Sequence, residues 1–198
     1  MIYFLIFLIS YLIGSISGSL TISKLFFNED IRKKGSGNAG TTNTFRVYGK
    51  KYARIAFLID ILKGILAVFI ASLFKTEYGI YLAATSVVIG HCWPIFYNFK
   101  GGKGVATSFG VNLYIVPIAA LVQFVVFTII NYTMSFVSLA SILSMISAVI
   151  VTLLFYIKNT PLIITIILNT IIVIITHKDN IKRLKNKEEN KTNLIKNI

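Results

Sequence analysis

The sequence predicts an all-α integral membrane protein with about seven transmembrane helices, some of them short or broken. Of its 198 residues 56% are hydrophobic, and the mean hydropathy is +0.78, which a soluble domain of this size rarely reaches. Long apolar runs alternate with loops rich in Lys and Arg, and this pattern is typical of multi-pass proteins. We therefore interpret residues 1–198 as a single membrane domain.

The charge distribution orients the chain. The formal net charge is +13, from 20 Lys and Arg against 7 Asp and Glu. The basic residues cluster in segments 32–54, 100–103 and 178–196, which apolar runs separate, so all three are predicted to face the cytoplasm. This puts the N-terminus outside and the C-terminus inside. Nucleic-acid binding, another common role of basic proteins, is disfavoured because the charge lies between membrane spans. The single cysteine, Cys92, excludes an intrachain disulfide and a cysteine metal cluster.

The first three spans follow from apolar runs of about 20 residues. The first begins at the N-terminus and ends near Lys24. It lacks the basic start of a signal peptide and carries small residues suited to close helix packing. A polar loop at about 28–52 leads to a second span at 53–74. A short turn then leads to a third at 79–97.

The segment after Gly104 needs four crossings, because the chain leaves the inside at Lys103 and the basic tail must end there. Spans are predicted at about 105–116, 118–130, 134–157 and 162–176, with breaks at Pro117 and residues 131–133. The first two are short for full crossings, so a broken or re-entrant pair remains an alternative. A flexible basic tail is predicted at 190–198.

Three loops on the predicted inner face carry groups that suit phosphate. The first, within 28–52, combines glycines and hydroxyls with Arg46, whose planar fork matches a phosphate. The second, 98–104, places glycines beside Lys100 and Lys103. It lacks the G-x-x-x-x-G-K-[ST] pattern, which argues against nucleotide hydrolysis. The third, 177–189, opens with His177, a candidate base or phosphate ligand.

Each of these features also has a structural interpretation. The first loop suits a flexible polar connection, the second a basic turn at lipid headgroups, and His177 a structural helix end. Asp60 and Lys63, at i,i+3 spacing inside the second span, are interpreted as a structural ion pair. The sequence contains no H-E-x-x-H pattern, so no metal ligands are predicted. The three loops together favour a phosphate site more than any one of them does.

These motifs resemble those of the bacterial membrane acyltransferases that move a fatty acyl group from acyl phosphate to glycerol 3-phosphate. The first motif comprises Gly35, Ser36, Gly37, Asn38, Ala39, Gly40, Thr41, Thr42, Asn43 and Arg46; the second Gly90, His91, Pro94, Phe96 and residues 99–107; the third His177, Lys178, Asn180, Ile181, Arg183, Leu184 and Glu189. Residues 138–142 also resemble a family segment. Three departures are Thr41 for the usual Ala, Lys178 for Arg, and Lys187 for Gly, the last of which affects the expected position of Glu189. Neither histidine begins an H-x4-D motif, as acyl-CoA-dependent enzymes require.

The resemblance implies acylation of the 1-hydroxyl of sn-glycerol 3-phosphate to lysophosphatidate, the first acylation of phospholipid synthesis. It implies direct attack on the mixed anhydride, no cofactor, and a location in the bacterial inner membrane with the site on the cytoplasmic side. The expected partners are both substrates, membrane lipid and a peripheral enzyme that forms acyl phosphate, with no nucleic acid. Either His177 or the donor's phosphate is the base. The competing hypotheses are a small transporter for an anionic solute and, more weakly, a membrane scaffold.

The resemblance also assigns the site residues. Ser36, Arg46, His177 and Asn180 are expected to be catalytic. Gly37, Asn38, Thr42, Asn43, Lys100, Gly101, Gly102, Lys103, Gly104 and Ser141 are expected to bind substrate, and His91 and Glu189 to support the site.

Overall fold

The computed structural model describes residues 1–195, and within them every regular element is helical. The α-helices are α1 (Ile2–Ser15), α2 (Gly18–Phe27), α3 (Thr41–Tyr48), α4 (Lys50–Leu73), α5 (Gly79–Cys92), α6 (Val105–Ile115), α7 (Pro117–Met134), α8 (Val137–Phe155), α9 (Thr160–Thr176) and α10 (Lys178–Lys185), with short 3-10 turns at Ile31–Lys33 and Ile95–Tyr97. The all-α prediction is confirmed.

The apolar helices agree with the predicted spans, although several do not cross in one piece. Within residues 1–195, four helical segments are long and apolar enough to span a bilayer, and six are if two bent pairs each count as one span. The bent pairs are α1 with α2, at 43°, and α9 with α10, at 61°. Helix α6 is a further apolar helix of only 11 residues, about 16 Å long against the ~30 Å hydrocarbon layer.

Helices α6 and α7 form a tight hairpin. The Asn112 amide donates to Gln123 Oε1 at 2.8 Å, and the rings of Phe109 and Phe124 lie 6.1 Å apart, so α7 runs back along α6. The break predicted at residues 131–133 is wrong. Helix α7 continues to Met134 and turns at Ser135, whose φ is +61°. Asn131, within that stretch, forms hydrogen bonds with the backbone of Thr192 and Leu194. The helix therefore continues through it.

The first predicted span is broken at Ile16 and Ser17, and the Asp60–Lys63 pair caps the break. Lys63 Nζ donates to the Ile16 carbonyl at 2.6 Å, and the Gly18 N–H donates to Asp60 Oδ1 at 3.3 Å. The two side chains lie 2.9 Å apart and are almost fully buried. Because backbone groups at membrane depth need partners, this geometry supports the structural interpretation of the pair.

Small residues bring the helix backbones into direct contact. A Cβ added at Gly14 on α1 would lie 2.2 Å from the Val87 carbonyl oxygen on α5, and one at Gly90 would lie 2.2 Å from the Tyr11 oxygen. On α4, a Cβ at Gly64 would lie 2.5 Å from the Thr107 oxygen of α6. This close packing fixes the helices that carry the motif loops.

Candidate active site

The three motif loops meet at one cavity of ≈ 480 Å³ at the end of the bundle where α4 begins. Polar groups form one part of its lining and phenylalanines the other. The expected site residues that line it are Ser36, Gly37, Asn38, Thr42, Asn43, Arg46, His91, Lys103, Gly104, Ser141, His177, Asn180 and Glu189.

Asn43 shapes the first loop from within. It is 1% exposed, and its Oδ1 accepts the Ser36 N–H at 2.8 Å. Its Nδ2 donates to the carbonyls of Ile31 and Lys34 at 3.2 and 3.0 Å. The amide expected to bind substrate is therefore already engaged with the loop backbone. Ser36 is exposed at the cavity, and within residues 1–195 its hydroxyl makes no hydrogen bond.

Arg46, near the end of the polar helix α3, points its guanidinium at a residue that the motifs do not include. Nε and Nη2 donate to Thr192 Oγ1 at 3.0 and 2.7 Å. Burial lowers the pKa of Arg46, with Glu189 raising it and Arg183 lowering it further. An arginine remains protonated in proteins despite such a shift, so Arg46 gives the cavity a fixed positive charge.

Lys103 is the lysine of the second loop that reaches the cavity. Its Nζ donates to Asn180 Oδ1 on α10, and its carbonyl accepts from Thr176 Oγ1 at 3.0 Å. Burial lowers the pKa of Lys103 to about 8, which the nearby Glu189 partly opposes. Its charge therefore titrates just above neutral pH.

Glu189 joins α10 to α8. Its Oε1 accepts from Asn180 Nδ2 at 2.6 Å and from Ser138 Oγ at 2.9 Å, and Oε2 accepts from Arg183 Nε at 2.8 Å. Burial alone would raise the pKa of Glu189, but these donors outweigh it and lower the pKa. Glu189 is thus an anion that orients Asn180 and, through it, Lys103.

The Lys187 departure does not displace Glu189, because Lys187 adopts the backbone conformation of a glycine. Its φ is +61°, and its N–H donates to the Leu184 carbonyl at 3.2 Å while the Glu188 N–H donates to the Arg183 carbonyl at 2.8 Å. These two bonds form a Schellman motif, which usually has glycine at this position. The turn is therefore kept, with a strained lysine.

His177 lies at the bend between α9 and α10 and is 3% exposed. Its Nδ1 lies 2.8 Å from the Val173 carbonyl. A carbonyl can only accept, so Nδ1 carries the proton and Nε2 of the neutral ring is an acceptor. Burial and the nearby Lys103 lower the pKa of His177 to about 4. The ring is neutral at physiological pH and is an acceptor, not a phosphate-binding cation.

Two glycines of the second loop, Gly101 and Gly102, have their N–H groups bonded to carbonyls at the end of α5. The N–H groups of Gly101 and Gly102 donate to the Cys92 and His91 carbonyls, both at 3.1 Å. A Cβ at Gly102 would lie 2.1 Å from His91 Nε2. Gly101, Gly102 and Lys100 do not line the cavity. Lys100 and Gly101 instead line a second, smaller pocket with Arg32 and Gly37, and the substrate-binding role of these three residues stays a prediction.

His91 connects this loop to the buried ion pair. Its Nδ1 lies 2.8 Å from Lys63 Nζ and 3.5 Å from Asp60 Oδ1, while its carbonyl receives the Gly102 N–H. The contacts place His91 between the loop and the ion pair, and its supporting role stays a prediction.

A groove between helices for the acyl tail was expected, but the side chains that line the apolar part of the cavity were not predicted. Its lining includes Phe45, Phe57, Phe109, Phe124 and Phe127. Gln123, buried on α7, also reaches it and donates to Met145 Sδ at 3.2 Å. The cavity thus offers cations, hydrogen-bonding groups and a hydrocarbon-compatible surface in one lining. Such a lining suits a molecule with a phosphate head and an apolar tail.

Sequence comparisons agree with this geometry. The sequence profile of the glycerol-3-phosphate acyltransferase family matches residues 4–187. The glycerol-3-phosphate acyltransferase of Finegoldia magna is 45% identical over 184 residues, covering 93% of each chain. That of Bacillus subtilis is 44% identical, covering 96% of this chain and 98% of its own.

Solved structures extend the similarity to the whole fold. Crystal structures of PlsY, an integral membrane glycerol 3-phosphate acyltransferase, are 35% identical to this chain. The glycerol 3-phosphate form has a TM-score of 0.89 and covers 98% of this chain and 97% of its own. The lysophosphatidic acid form has a TM-score of 0.86, with coverages of 96% and 94%.

Proposed function

This chain belongs to the glycerol-3-phosphate acyltransferase family, and on that premise we propose that it transfers a fatty acyl group from acyl phosphate to the 1-hydroxyl of sn-glycerol 3-phosphate. It is a multi-pass membrane acyltransferase, so the transporter and scaffold hypotheses are set aside. The observation that carries the proposal is the mixed lining of the cavity. Its cations suit the phosphate of glycerol 3-phosphate and its phenylalanines suit a fatty acyl chain.

The assignment of acyl phosphate as the donor rests on activating groups that the site lacks. Within residues 1–195 the Ser36 hydroxyl has no hydrogen bond to a histidine, and neither histidine begins an H-x4-D motif. A mixed anhydride needs no such activation, because its carbonyl already carries a good leaving group. Holding the acceptor hydroxyl against that carbonyl contributes up to roughly 7–11 kcal/mol on effective-molarity estimates.

The reaction step then has three parts. The glycerol oxygen attacks the acyl carbon, a C–O ester bond forms, and the C–O bond to phosphate breaks. Ser36 donates a hydrogen bond to the developing oxyanion, and Lys103 neutralises the leaving phosphate. The hydroxyl proton passes to a donor phosphate oxygen, which lies next to the acyl carbon that is attacked. The neutral His177 accepts at Nε2 from the other hydroxyl of glycerol 3-phosphate and so orients the acceptor.

A reconstituted assay tests the donor. Purified protein is given labelled glycerol 3-phosphate with either acyl phosphate or acyl-CoA, and lysophosphatidate is measured. We expect product with acyl phosphate alone. Efficient use of acyl-CoA by a preparation free of any acyl-phosphate-forming enzyme would refute the donor assignment.

The basic loops support a location in the bacterial inner membrane with the site facing the cytoplasm. In a Cys92→Ser background, Lys178→Cys should resist a membrane-impermeant thiol reagent in intact cells. The matched variant Glu77→Cys, in the turn between α4 and α5, should react. The reverse labelling pattern would invert the topology. A peripheral enzyme that makes acyl phosphate at this face would supply the donor.

A further inference from the structure

The segment that follows Glu189 is docked on the helix bundle. The Thr192 N–H donates to the Ser135 carbonyl at 2.7 Å, and Asn131 Nδ2 donates to the Thr192 carbonyl at 2.9 Å. The Leu194 N–H donates to Asn131 Oδ1 at 2.9 Å. We call residues 190–195 the C-terminal strap. The sequence predicted a flexible tail at 190–198; instead the strap lies against the α7–α8 turn, and residues 196–198 lie outside the described residues.

The strap also forms part of the cavity wall. Leu194 and Ile195 line the cavity, and Thr192 is only 9% exposed. The matched family region ends at residue 187, so the motifs do not account for these contacts.

We propose that Thr192 is a positioning residue that orients the Arg46 guanidinium for the phosphate of glycerol 3-phosphate. The inference rests on the proposed function and deepens it. Thr192 Oγ1 accepts from both Nε and Nη2 of Arg46, at 3.0 and 2.7 Å. A guanidinium is a rigid planar fork, so holding one edge fixes the plane and leaves the Nη1 edge for a second acceptor.

Without this hydroxyl, another acceptor competes for Arg46. Glu189 is close enough to raise the pKa of Arg46, and Arg183 is close enough to lower it. Glu189 already accepts from Asn180, Ser138 and Arg183. If Arg46 turned to Glu189, its charge would be neutralised and the Asn180 contact weakened. A neutral hydroxyl holds Arg46 in place without cancelling the charge that a phosphate needs.

Glycerol 3-phosphate is the substrate concerned because of where Arg46 lies. Arg46 is on α3, a helix of polar composition outside the apolar spans, and its partner Thr192 is bound at the α7–α8 turn. Because the acyl chain of the donor is held by the apolar spans, Arg46 on the polar helix α3 is assigned to the wholly polar acceptor.

A substitution of Thr192 can separate its orienting of Arg46 from its anchoring of the strap. The backbone of Thr192, and not its side chain, holds the strap on Asn131 and Ser135. Thr192→Val therefore keeps the shape and the anchors but loses the acceptor, whereas Thr192→Ser keeps the acceptor. Thr133→Val is a matched control, because among residues 1–195 the Thr133 hydroxyl donates only to its own helix, to the Ile129 and Ile130 carbonyls.

Steady-state kinetics on the full-length protein in lipid test the inference. We expect Thr192→Val to raise the KM for glycerol 3-phosphate about tenfold, as loss of a hydrogen bond to a charged group predicts. The KM for acyl phosphate should change by less than about twofold, and Thr192→Ser and Thr133→Val should resemble the wild type. An unchanged or lowered KM for glycerol 3-phosphate in Thr192→Val would overturn the inference, and so would an equal effect in Thr192→Ser.

A binding measurement keeps this result separate from the donor assignment. Equilibrium binding of labelled glycerol 3-phosphate, measured without any donor, should be about tenfold weaker in Thr192→Val. Weaker binding with no turnover of acyl phosphate would refute the proposed donor and support the role of Thr192. Equal binding of glycerol 3-phosphate to Thr192→Val and the wild type, with normal turnover of acyl phosphate, would refute the role of Thr192 and support the proposed donor.

Discussion

The Lys63 ammonium group donates a hydrogen bond to the Ile16 carbonyl at 2.6 Å, across the break between α1 and α2. A broken helix within a membrane exposes a backbone acceptor and a backbone donor. Lys63 satisfies the acceptor, and Asp60 satisfies the donor on Gly18. The pair therefore completes the backbone hydrogen bonding of the first span, and His91 links it to the Gly/Lys loop above.

Removing one charge of this pair should be strongly destabilising. Lys63→Met is expected to lower the free energy of unfolding by roughly 3–5 kcal/mol, because it leaves Asp60 buried and unpaired. Denaturant unfolding in micelles measures this, with Lys158→Met in an exposed loop as the matched control. The double variant Asp60→Asn/Lys63→Met should lose less than the sum of its single variants. Lys63→Met behaving like Lys158→Met would contradict the capping role.

The charge of Lys103 should set the alkaline limit of activity. Its pKa of about 8 means that the cation is lost as the pH rises through that value, and phosphate binding weakens. We expect kcat/KM of the wild type to fall across this range. Lys103→Arg, which stays protonated, should be less active at pH 7, but its kcat/KM should not change from about pH 7 to 9. The same alkaline fall in both proteins would show that another group is responsible.

The buried neutral His177 should make the protein sensitive to acid. Its folded pKa of about 4 lies below the ordinary histidine value of 6.5, so the unfolded state binds more protons between these pH values. The contribution of His177 to stability is therefore present above about pH 6.5 and is lost as the pH falls toward 4. The melting temperature of His177→Gln should depend less on pH over this window than that of the wild type. Parallel curves would rule out a buried neutral His177.

Ser36 is expected to donate a hydrogen bond and not to be acylated. Ser36→Ala should lower kcat by about 10²–10³, as for loss of an oxyanion donor, whereas Ser147→Ala on α8 should have little effect. Ser36→Thr should retain part of the activity if the added methyl fits. Incubation with acyl phosphate alone should leave the protein mass unchanged. A chemically competent acyl adduct on Ser36 would replace this mechanism with a covalent one.

The strained turn at Lys187 offers a simple gain in stability. Lys187→Gly should raise the free energy of unfolding by about 1 kcal/mol, because glycine adopts a positive φ without the Cβ penalty. Activity should be kept, since Glu189 stays in place. Lys187→Val should be destabilising. Thermal unfolding of the wild type and the two variants gives their order of stability. A Lys187→Gly variant less stable than the wild type would contradict the Schellman geometry.

The sequence predicted the composition of the site better than the roles within it. Ser36, Arg46, Lys103 and Asn180 were placed together because charge and apolar runs assign their loops to one face, and the structure brings all four to the cavity. Composition could not show that the N–H groups of Gly101 and Gly102 are already bonded, because that depends on the carbonyls opposite them.

Other features depend on tertiary contacts that leave no local signal. Thr192 lies in a Lys- and Asn-rich stretch that resembles a solvated tail, and only its contacts with Arg46 and the α7–α8 turn reveal its position. The break at Ile16 also leaves no local signal, because Asp60 and Lys63, which satisfy its backbone groups, lie on α4. The phenylalanines of the cavity occupy ordinary apolar positions of their helices, where a lipid-facing and a ligand-facing side chain look alike.

The short α6 determines where the two substrates meet. Helix α6 packs against α4 at Gly64 and Ile61, and Gly104 at its start lies against Val88, Cys92 and Val173, so the second loop ends among buried residues of the bundle. Under the proposed reaction, the floor of the cavity then lies where the polar loops meet the apolar helices. A water-soluble acceptor descends to it, the fatty chain moves sideways within hydrocarbon, and the new ester forms at the boundary between the two phases. Neither reactant has to be extracted into the other's solvent.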